Sequence, residues 1–185
     1  SGDLPPSSTL NGSIKYLNKY TNDFLYLVGK NSFFSKNKSS LNKIKNSNFK
    51  LVSAEDQISD SDSVTRLFKN RPESPLIKSI QLLKDNKVDA TVSSGNTGAL
   101  LASSLMLLGK IDGIRRPALA AFIPTDKGGF VLCDVGANAN NKPIHLLQFS
   151  LMASAYIKYL ENINNPRIAL LNIGEESNKG NLLVT

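Results

Sequence analysis

The sequence predicts an α/β chain, a three-layer α/β/α sandwich around a mostly parallel sheet, and three observations carry that prediction. Short apolar runs rich in β-branched and aromatic residues recur with helical patterns between them. Several of these runs are apolar throughout rather than alternating, as strands covered on both faces are. The strand-like and helix-like segments alternate along the chain, which is the order that crossover units produce.

The strand-like runs are FLYLV (24–28), FKLVSA (49–54), VDATVS (88–93), ALAAFIP (118–124), FVLCD (130–134) and RIALLNI (167–173). TDKGG separates ALAAFIP from FVLCD, and a turn-like run of that kind predicts an antiparallel hairpin within the otherwise parallel sheet. Among the helices the clearest start is Ser74 as N-cap with Pro75 at the first position, followed by Leu76, Ile77, Ile80 and Leu83 on one face. The next opens at SGNTG and runs GALLASSLMLL, apolar almost all round, and so is expected to be central and buried. A third begins at Pro143 and continues to Leu160, ending before Asn164, Asn165 and Pro166.

Composition narrows the class. With 185 residues, 41% of them hydrophobic, the chain can bury a sizeable core. The single cysteine, Cys133, excludes an intrachain disulfide and a cysteine-rich metal site and fits a reducing, cytoplasmic setting. Set inside an apolar strand, it reads as a buried, inert thiol. The longest apolar run, residues 99–108, is far below spanning length. A net charge of +7 raises the question of nucleic acid, but residues 30–50 alone hold six lysines and no acid, whereas from Lys84 onward there are ten basic and eight acidic residues. The basic segment reads as a solvated helical face rather than a polyanion site. The chain opens on SGDLPP and stops at LLVT inside a new element, so residues 1–185 are expected to be one α/β domain fragment, lacking an N-terminal strand and a C-terminal half.

Three predicted strands end in glycine and polar residues, at the sheet edge where open α/β sheets bind ligands. The first loop is Ser93-Ser94-Gly95-Asn96-Thr97-Gly98. Gly95 and Gly98 allow close backbone approach and positive φ, and the helix that follows offers unpaired N–H groups and a positive dipole to an anion. Asn96 and Thr97 either add hydrogen bonds to that anion or merely cap the helix. The loop is neither a Walker loop nor GxGxxG, which disfavours a nucleotide. The second loop is Asp134-Val135-Gly136-Ala137-Asn138, with Lys142 and His145 just beyond. Asp134 either shapes the turn or orients a partner, Lys142 can neutralise phosphate, and His145, the sole histidine, is either a packed or capping imidazole or a base. The third is Asn172-Ile173-Gly174-Glu175-Glu176, followed by Ser177-Asn178-Lys179-Gly180-Asn181. Here a lysine can hold a transferring anion and a glutamate can orient it, against the plainer reading of an acidic helix start.

The stretches VSSGNTGALLASSLMLLGKIDGIRRPALAAFIPT, GFVLCDVGAN with KPIHLLQF, and NPRIALLNIGEESNKGN together resemble the PlsX family of acyl-ACP:phosphate acyltransferases. The likeness covers residues 61–181 with specific motifs and extends weakly to Ser1-Gly2-Asp3, similar to the end of that family's MGGD loop. It implies a reaction in which inorganic phosphate attacks the thioester of a long-chain acyl group on acyl carrier protein, giving acyl phosphate for bacterial phospholipid synthesis. It also implies a Rossmann-like fold akin to phosphotransacetylases and isopropylmalate dehydrogenases, no redox cofactor and no metal, a homodimer, and peripheral membrane contact through a segment outside this chain. Under the resemblance Asn96 and Lys179 are the catalytic candidates. Gly95, Thr97, Gly98, Asp134, Gly136, Asn138, Lys142, His145, Gly174, Glu175 and Asn181 are then expected to bind phosphate or substrate. Ser94, Asn140, Asn141 and Ile144 depart from the family's usual Ala, Asp, Cys and Glu, so no acid is available at 140 or 144. Two rival readings are a phosphate acetyltransferase-like enzyme using coenzyme A, and a non-catalytic module binding a polyanion or membrane surface through residues 30–50.

Overall fold

The computed structural model describes residues 6–59, 67–126, 128–174, 180 and 183. It divides into two compact units, Ser1–Gly109 and Lys110–Thr185. In the first, helix α1 (Pro6–Lys19) precedes strand β1 (Leu25–Gly29), short helices α2 (Asn31–Lys36) and α3 (Lys38–Leu41), strand β2 (Phe49–Ser53), and helices α4 (Leu67–Asn70), α5 (Pro75–Lys84) and α6 (Thr97–Leu108). In the second, strands β3 (Ala120–Thr125) and β4 (Gly128–Cys133) lead to the long helix α7 (Pro143–Glu161).

Strands β1 and β2 pair in parallel, in register from Leu25 opposite Phe49 to Gly29 opposite Ser53. A parallel pair needs a crossover, and the intervening residues supply it through α2 and α3. Leu10, Ile14 and Leu17 fall on one face of α1 because they recur at four- and three-residue steps. They form a buried cluster with Phe34, Leu41 and Ile44, against which Leu25, Leu27 and Phe49 pack. The lysine-rich segment therefore buries Phe34, Leu41 and Ile44 while Lys36, Lys38, Lys43, Lys45 and Lys50 stay exposed, the solvated face its spacing predicts. Asn18, at the end of α1, binds residues 43–45 through both ends of its amide, donating to the Lys43 carbonyl at 3.1 Å and accepting from the Lys45 N–H at 2.9 Å.

Helix α5 starts as its sequence predicts, with the buried Ser74 hydroxyl accepting from the Ile77 N–H at 3.4 Å. Leu76, Ile77 and Ile80 form a second core cluster with Ile58 and Ala99. Helix α6 departs from the buried, central helix expected of GALLASSLMLL. It packs against α5 and α4, burying Ala99 and Ser103, and leaves Leu105, Met106 and Leu108 exposed. Hydrophobicity all round a helix buries it only where partners surround it.

In the second unit β3 and β4 form the expected antiparallel hairpin, from Ala120 opposite Cys133 to Thr125 opposite Gly128, and α7 packs on β4. Helix α7 starts at Pro143 as predicted and ends with Asn162 in the left-handed conformation at φ 55°, a position that Asn tolerates. The predicted strands at 88–93 and 167–173 are irregular instead. Strand propensity is realised only when a neighbour completes the ladder, and neither run has a paired neighbour among the described residues. Their apolar side chains accordingly lie open, Val92 at 97% exposure, Leu171 at 80% and Ile173 at 89%.

Candidate anion-handling loops

In the first unit, the SGNTG loop delivers the chain into α6. Asn96 is the N-cap residue, and its side-chain oxygen accepts from the Ala99 N–H at 2.9 Å. The Gly95 N–H donates to the Ser93 hydroxyl at 3.2 Å. Of the close approach and positive φ that a glycine allows, Gly98, within the first turn of α6, shows the close approach: a Cβ there would come within 3.3 Å of the Asn96 oxygen. Thr97 is exposed at the first helical position. Because capping occupies the Asn96 oxygen, a donor role for this residue falls to its amide nitrogen.

In the second unit, the DVGAN loop is built around Asp134. One carboxylate oxygen accepts from the N–H of Leu119 at 2.9 Å and of Ala137 at 3.2 Å. The other accepts from the Asn138 N–H at 2.8 Å and the Asn138 side-chain amide at 3.1 Å. Burial pushes the Asp134 carboxyl up, but these donors outweigh it, Leu119 first, and hold it below the usual carboxylate range. The Asn138 amide also donates to the Pro117 carbonyl at 2.9 Å, and Asn141 to the Asn138 carbonyl at 3.2 Å. Gly136 takes φ 115° within the turn, a region closed to side chains with a Cβ. Of the two readings open for Asp134, the geometry favours the organiser of a turn. Cys133, next in the strand, has its thiol pushed up by burial and by the Asp134 charge, the state of an inert thiol.

Beyond the turn, Lys142 precedes α7 and His145 sits in its first turn. His145 is 5% exposed, and its Nδ1 accepts from the Lys142 N–H at 3.2 Å, so the neutral ring carries its proton on Nε2. Burial, then the charges of Arg116, Arg115 and Lys142, hold its pKa below the ordinary histidine value. The charges of Arg115 and Arg116, from before the hairpin, thus reach the same imidazole as that of Lys142, at the start of a 19-residue helix. Such a set attracts an anion and offers it hydrogen-bond donors rather than a base. Arg115 and Arg116 escaped the sequence reading. The signal was an RRP doublet just before β3 in an otherwise charge-balanced region.

The third loop is described only in part. Asn172 accepts from the Ile173 N–H at 2.9 Å and donates to the Gly174 carbonyl at 3.3 Å. Gly180 stands so close that a Cβ on it would lie 2.6 Å from the Asn172 oxygen, which puts Gly180 against Asn172. Lys179, Glu175 and Asn181 lie outside the described residues, as do Ser1-Gly2-Asp3. Among the described residues no cluster of three His, Cys, Asp or Glu side chains could hold a metal ion.

The class is that of a mixed α/β chain whose loops present a capped helix start, amide donors and cations. More particularly, the chain belongs to the fatty acid synthesis protein (PlsX) family, whose model matches residues 1–185. It is 39% identical over 183 residues to a phosphate acyltransferase of Listeria innocua, covering 98% of this chain and 53% of that protein. To the phosphate acyltransferases of Bacillus thuringiensis and Bacillus mycoides it is 37% identical over the same length, covering 54% of each. The chain thus spans about half the length of the curated relatives it matches.

Proposed function

We propose that this chain carries the anion-handling part of a bacterial enzyme that transfers a long-chain acyl group from acyl carrier protein to inorganic phosphate. The observation that carries the reading is the stretch from Asp134 to His145, a turn locked by a carboxylate and followed by a neutral, buried imidazole among Arg115, Arg116 and Lys142. Identity to proteins named phosphate acyltransferase supports it.

The chemistry suits donors rather than bases. An oxygen of hydrogen phosphate attacks the thioester carbonyl carbon, the C–S bond breaks, and the proton of hydrogen phosphate passes to the departing thiolate. The products are acyl phosphate and free carrier thiol. The nucleophile is already an anion, so the protein has to gather charge and stabilise the developing oxyanion. Lys142, His145 and the backbone at Gly136 serve the phosphate, while Asn138, whose N–H groups are all engaged, holds the turn that presents them. Gly95, Thr97 and Gly98 shape the start of α6, with Asn96 contributing its amide nitrogen. By the resemblance, Lys179 supplies the cation at the carbonyl, and Gly174, Glu175 and Asn181 serve the substrate. The resemblance also carries a cytoplasmic homodimer that touches the membrane surface, and no helix among the described residues is long and apolar enough to cross a membrane.

The test uses the full-length enzyme with palmitoyl-acyl carrier protein and phosphate, trapping acyl phosphate with hydroxylamine and running acetyl-coenzyme A in parallel. Product from the carrier-bound palmitoyl group, lost in Lys179→Ala, is expected. Product from acetyl-coenzyme A alone, or full turnover by Lys179→Ala, would sink the reading.

A further inference from the structure

Gln148 is an unusual residue to find where it lies. Glutamine is mostly exposed in proteins, yet Gln148 is only 9% exposed, on α7 beside the buried Phe149. Both ends of its amide are satisfied by backbone of a single turn. Its nitrogen donates to the Gly113 carbonyl at 2.7 Å, and its oxygen accepts from the Arg115 N–H at 2.9 Å. That turn closes with the Ile114 N–H on the Ile111 carbonyl at 3.0 Å, and Gly113 holds φ 81° at its third position, as a type II turn requires. The amide therefore replaces a strand edge, fixing the height and direction at which the chain leaves for Arg115 and Arg116.

The next residues are held just as closely. The Arg116 guanidinium donates to the Asn140 carbonyl at 2.9 Å, Asn138 donates to the Pro117 carbonyl, and Asp134 accepts from the Leu119 N–H. Residues 113–119 are thus stitched to the loop and helix at four successive points, of which Gln148 is the first and the most buried. Arg115 and Arg116 are otherwise exposed, and a flexible exposed arginine has no fixed place near an anion.

We propose that Gln148 is a positioning residue, which by clamping the 113–115 turn fixes Arg116 across the end of the Asp134 loop, where its guanidinium takes part of the charge of the bound phosphate. The electrostatics agrees: Arg116 and Arg115 stand near enough to His145 to help hold its ring neutral. The inference rests on the phosphate acyltransferase reading and adds to it two residues that act on phosphate binding rather than on acyl transfer.

The full-length enzyme decides it through Gln148→Leu and Arg116→Gln, with KM for phosphate and kcat measured separately. His145 is followed in [13Cε1]-histidine-labelled protein, its resonance assigned by its loss in His145→Gln. Both variants are expected to raise KM for phosphate about tenfold, the scale of one charge-assisted hydrogen bond, while kcat stays within about twofold. The His145 midpoint is expected to rise in both, since the arginine charge that opposes protonation has been displaced or removed. A purely structural Gln148 would instead lower the yield of folded enzyme and leave the KM and midpoint of the folded fraction unchanged, and that result overturns the proposal. If Gln148→Leu does not fold, Gln148→Met takes its place, and an unchanged KM for phosphate in it or in the exposed Arg116→Gln overturns the proposal. If the wild type makes no acyl phosphate, the parent reading has failed. The positioning claim is then decided by titrating inorganic phosphate against the His145 resonance, weaker binding in both Gln148→Leu and Arg116→Gln supporting it and wild-type binding in either overturning it.

Discussion

Replacing Asp134 by Asn tests whether the DVGAN loop is held by a carboxylate charge. The change keeps the side-chain volume and one carbonyl oxygen but turns the other oxygen into an NH2 group. In the native loop each oxygen accepts two hydrogen bonds, from Leu119 and Ala137 on one side and twice from Asn138 on the other. Asn can satisfy one pair and must face the other with a donor. Two hydrogen bonds to a charged acceptor are therefore lost, each about 1.5–3 kcal/mol where water cannot replace it. The loop is half-exposed and such bonds do not add, so about 2–3 kcal/mol is expected. At about 2–4 °C per kcal/mol for a chain of this length, the melting temperature should fall by about 5–10 °C. Hydrogen exchange at Leu119, Ala137 and Asn138 should accelerate in parallel. The pH dependence is the sharper check. A carboxylate whose folded pKa is depressed contributes stability above its unfolded pKa, about 3.9, and loses it as pH falls through the lower folded value. The gap between wild type and Asp134→Asn should be constant from pH 5 to 8 and close at more acid pH. An unchanged melting temperature at pH 7, or a gap that persists undiminished at pH 3, would refute the reasoning.

Three further outcomes follow from the same geometry. Asn96→Asp keeps the cap on the Ala99 N–H and should melt like the wild type, whereas Asn96→Ala should lose about 1 kcal/mol. Both should impair acyl transfer, so an active Asn96→Asp would show that Asn96 only caps. Because His145 has its pKa held down in the folded protein, the unfolded chain binds the proton more readily, and stability should decline as pH falls through about 6.5. Denaturation curves of His145→Gln should lack that decline. Gly180→Ala forces a Cβ onto the Asn172 oxygen at φ 116°, a strain of about 1–3 kcal/mol; hydrogen exchange at Ile173 should quicken and turnover should fall, and full turnover would show that this close approach is dispensable.

Much of the fold was legible because local signals carried it. Ser74 and Pro75 mark the start of α5, Pro143 and the Asn residues after Glu161 bound α7, and TDKGG marks the hairpin turn. Each depends on neighbours within a few residues. The runs at 88–93 and 167–173 failed as strands for the opposite reason. Their residues favour a pleated surface, but a strand is a relation between two segments, and no composition records which neighbour is there. The same distinction divides the site. Asp134, Asn138, Lys142 and His145 are close in sequence, and their grouping was readable. Leu119 and Pro117, the partners of Asp134 and Asn138, come from before the hairpin, as do Arg116 and Gly113, the partners of Asn140 and Gln148. Gln148 was hidden by its own surroundings, since a polar residue inside LLQF reads as an interruption of an apolar face.

The state of the titratable groups bears on what kind of chemistry this half of the enzyme performs. A general base at neutral pH needs a pKa near the working pH and a lone pair open to the substrate. Asp134 has neither, being held ionised below the usual carboxylate range with both oxygens already accepting. His145 has its Nδ1 engaged by the Lys142 N–H and points its chemistry the other way, as a neutral donor through Nε2. A nucleophile that needed deprotonation would find no base in Asp134 or His145, whereas one that arrives as an anion needs only to be gathered and aimed. Cations and amide N–H groups do that without taking a proton. On the proposed reading, acyl transfer to phosphate by the full-length enzyme should therefore show a pH–rate profile set by the substrate's own HPO4²⁻ fraction rather than by a protein base. A bell-shaped kcat profile that survives correction for phosphate ionisation and disappears in His145→Gln would restore the imidazole to the role of base.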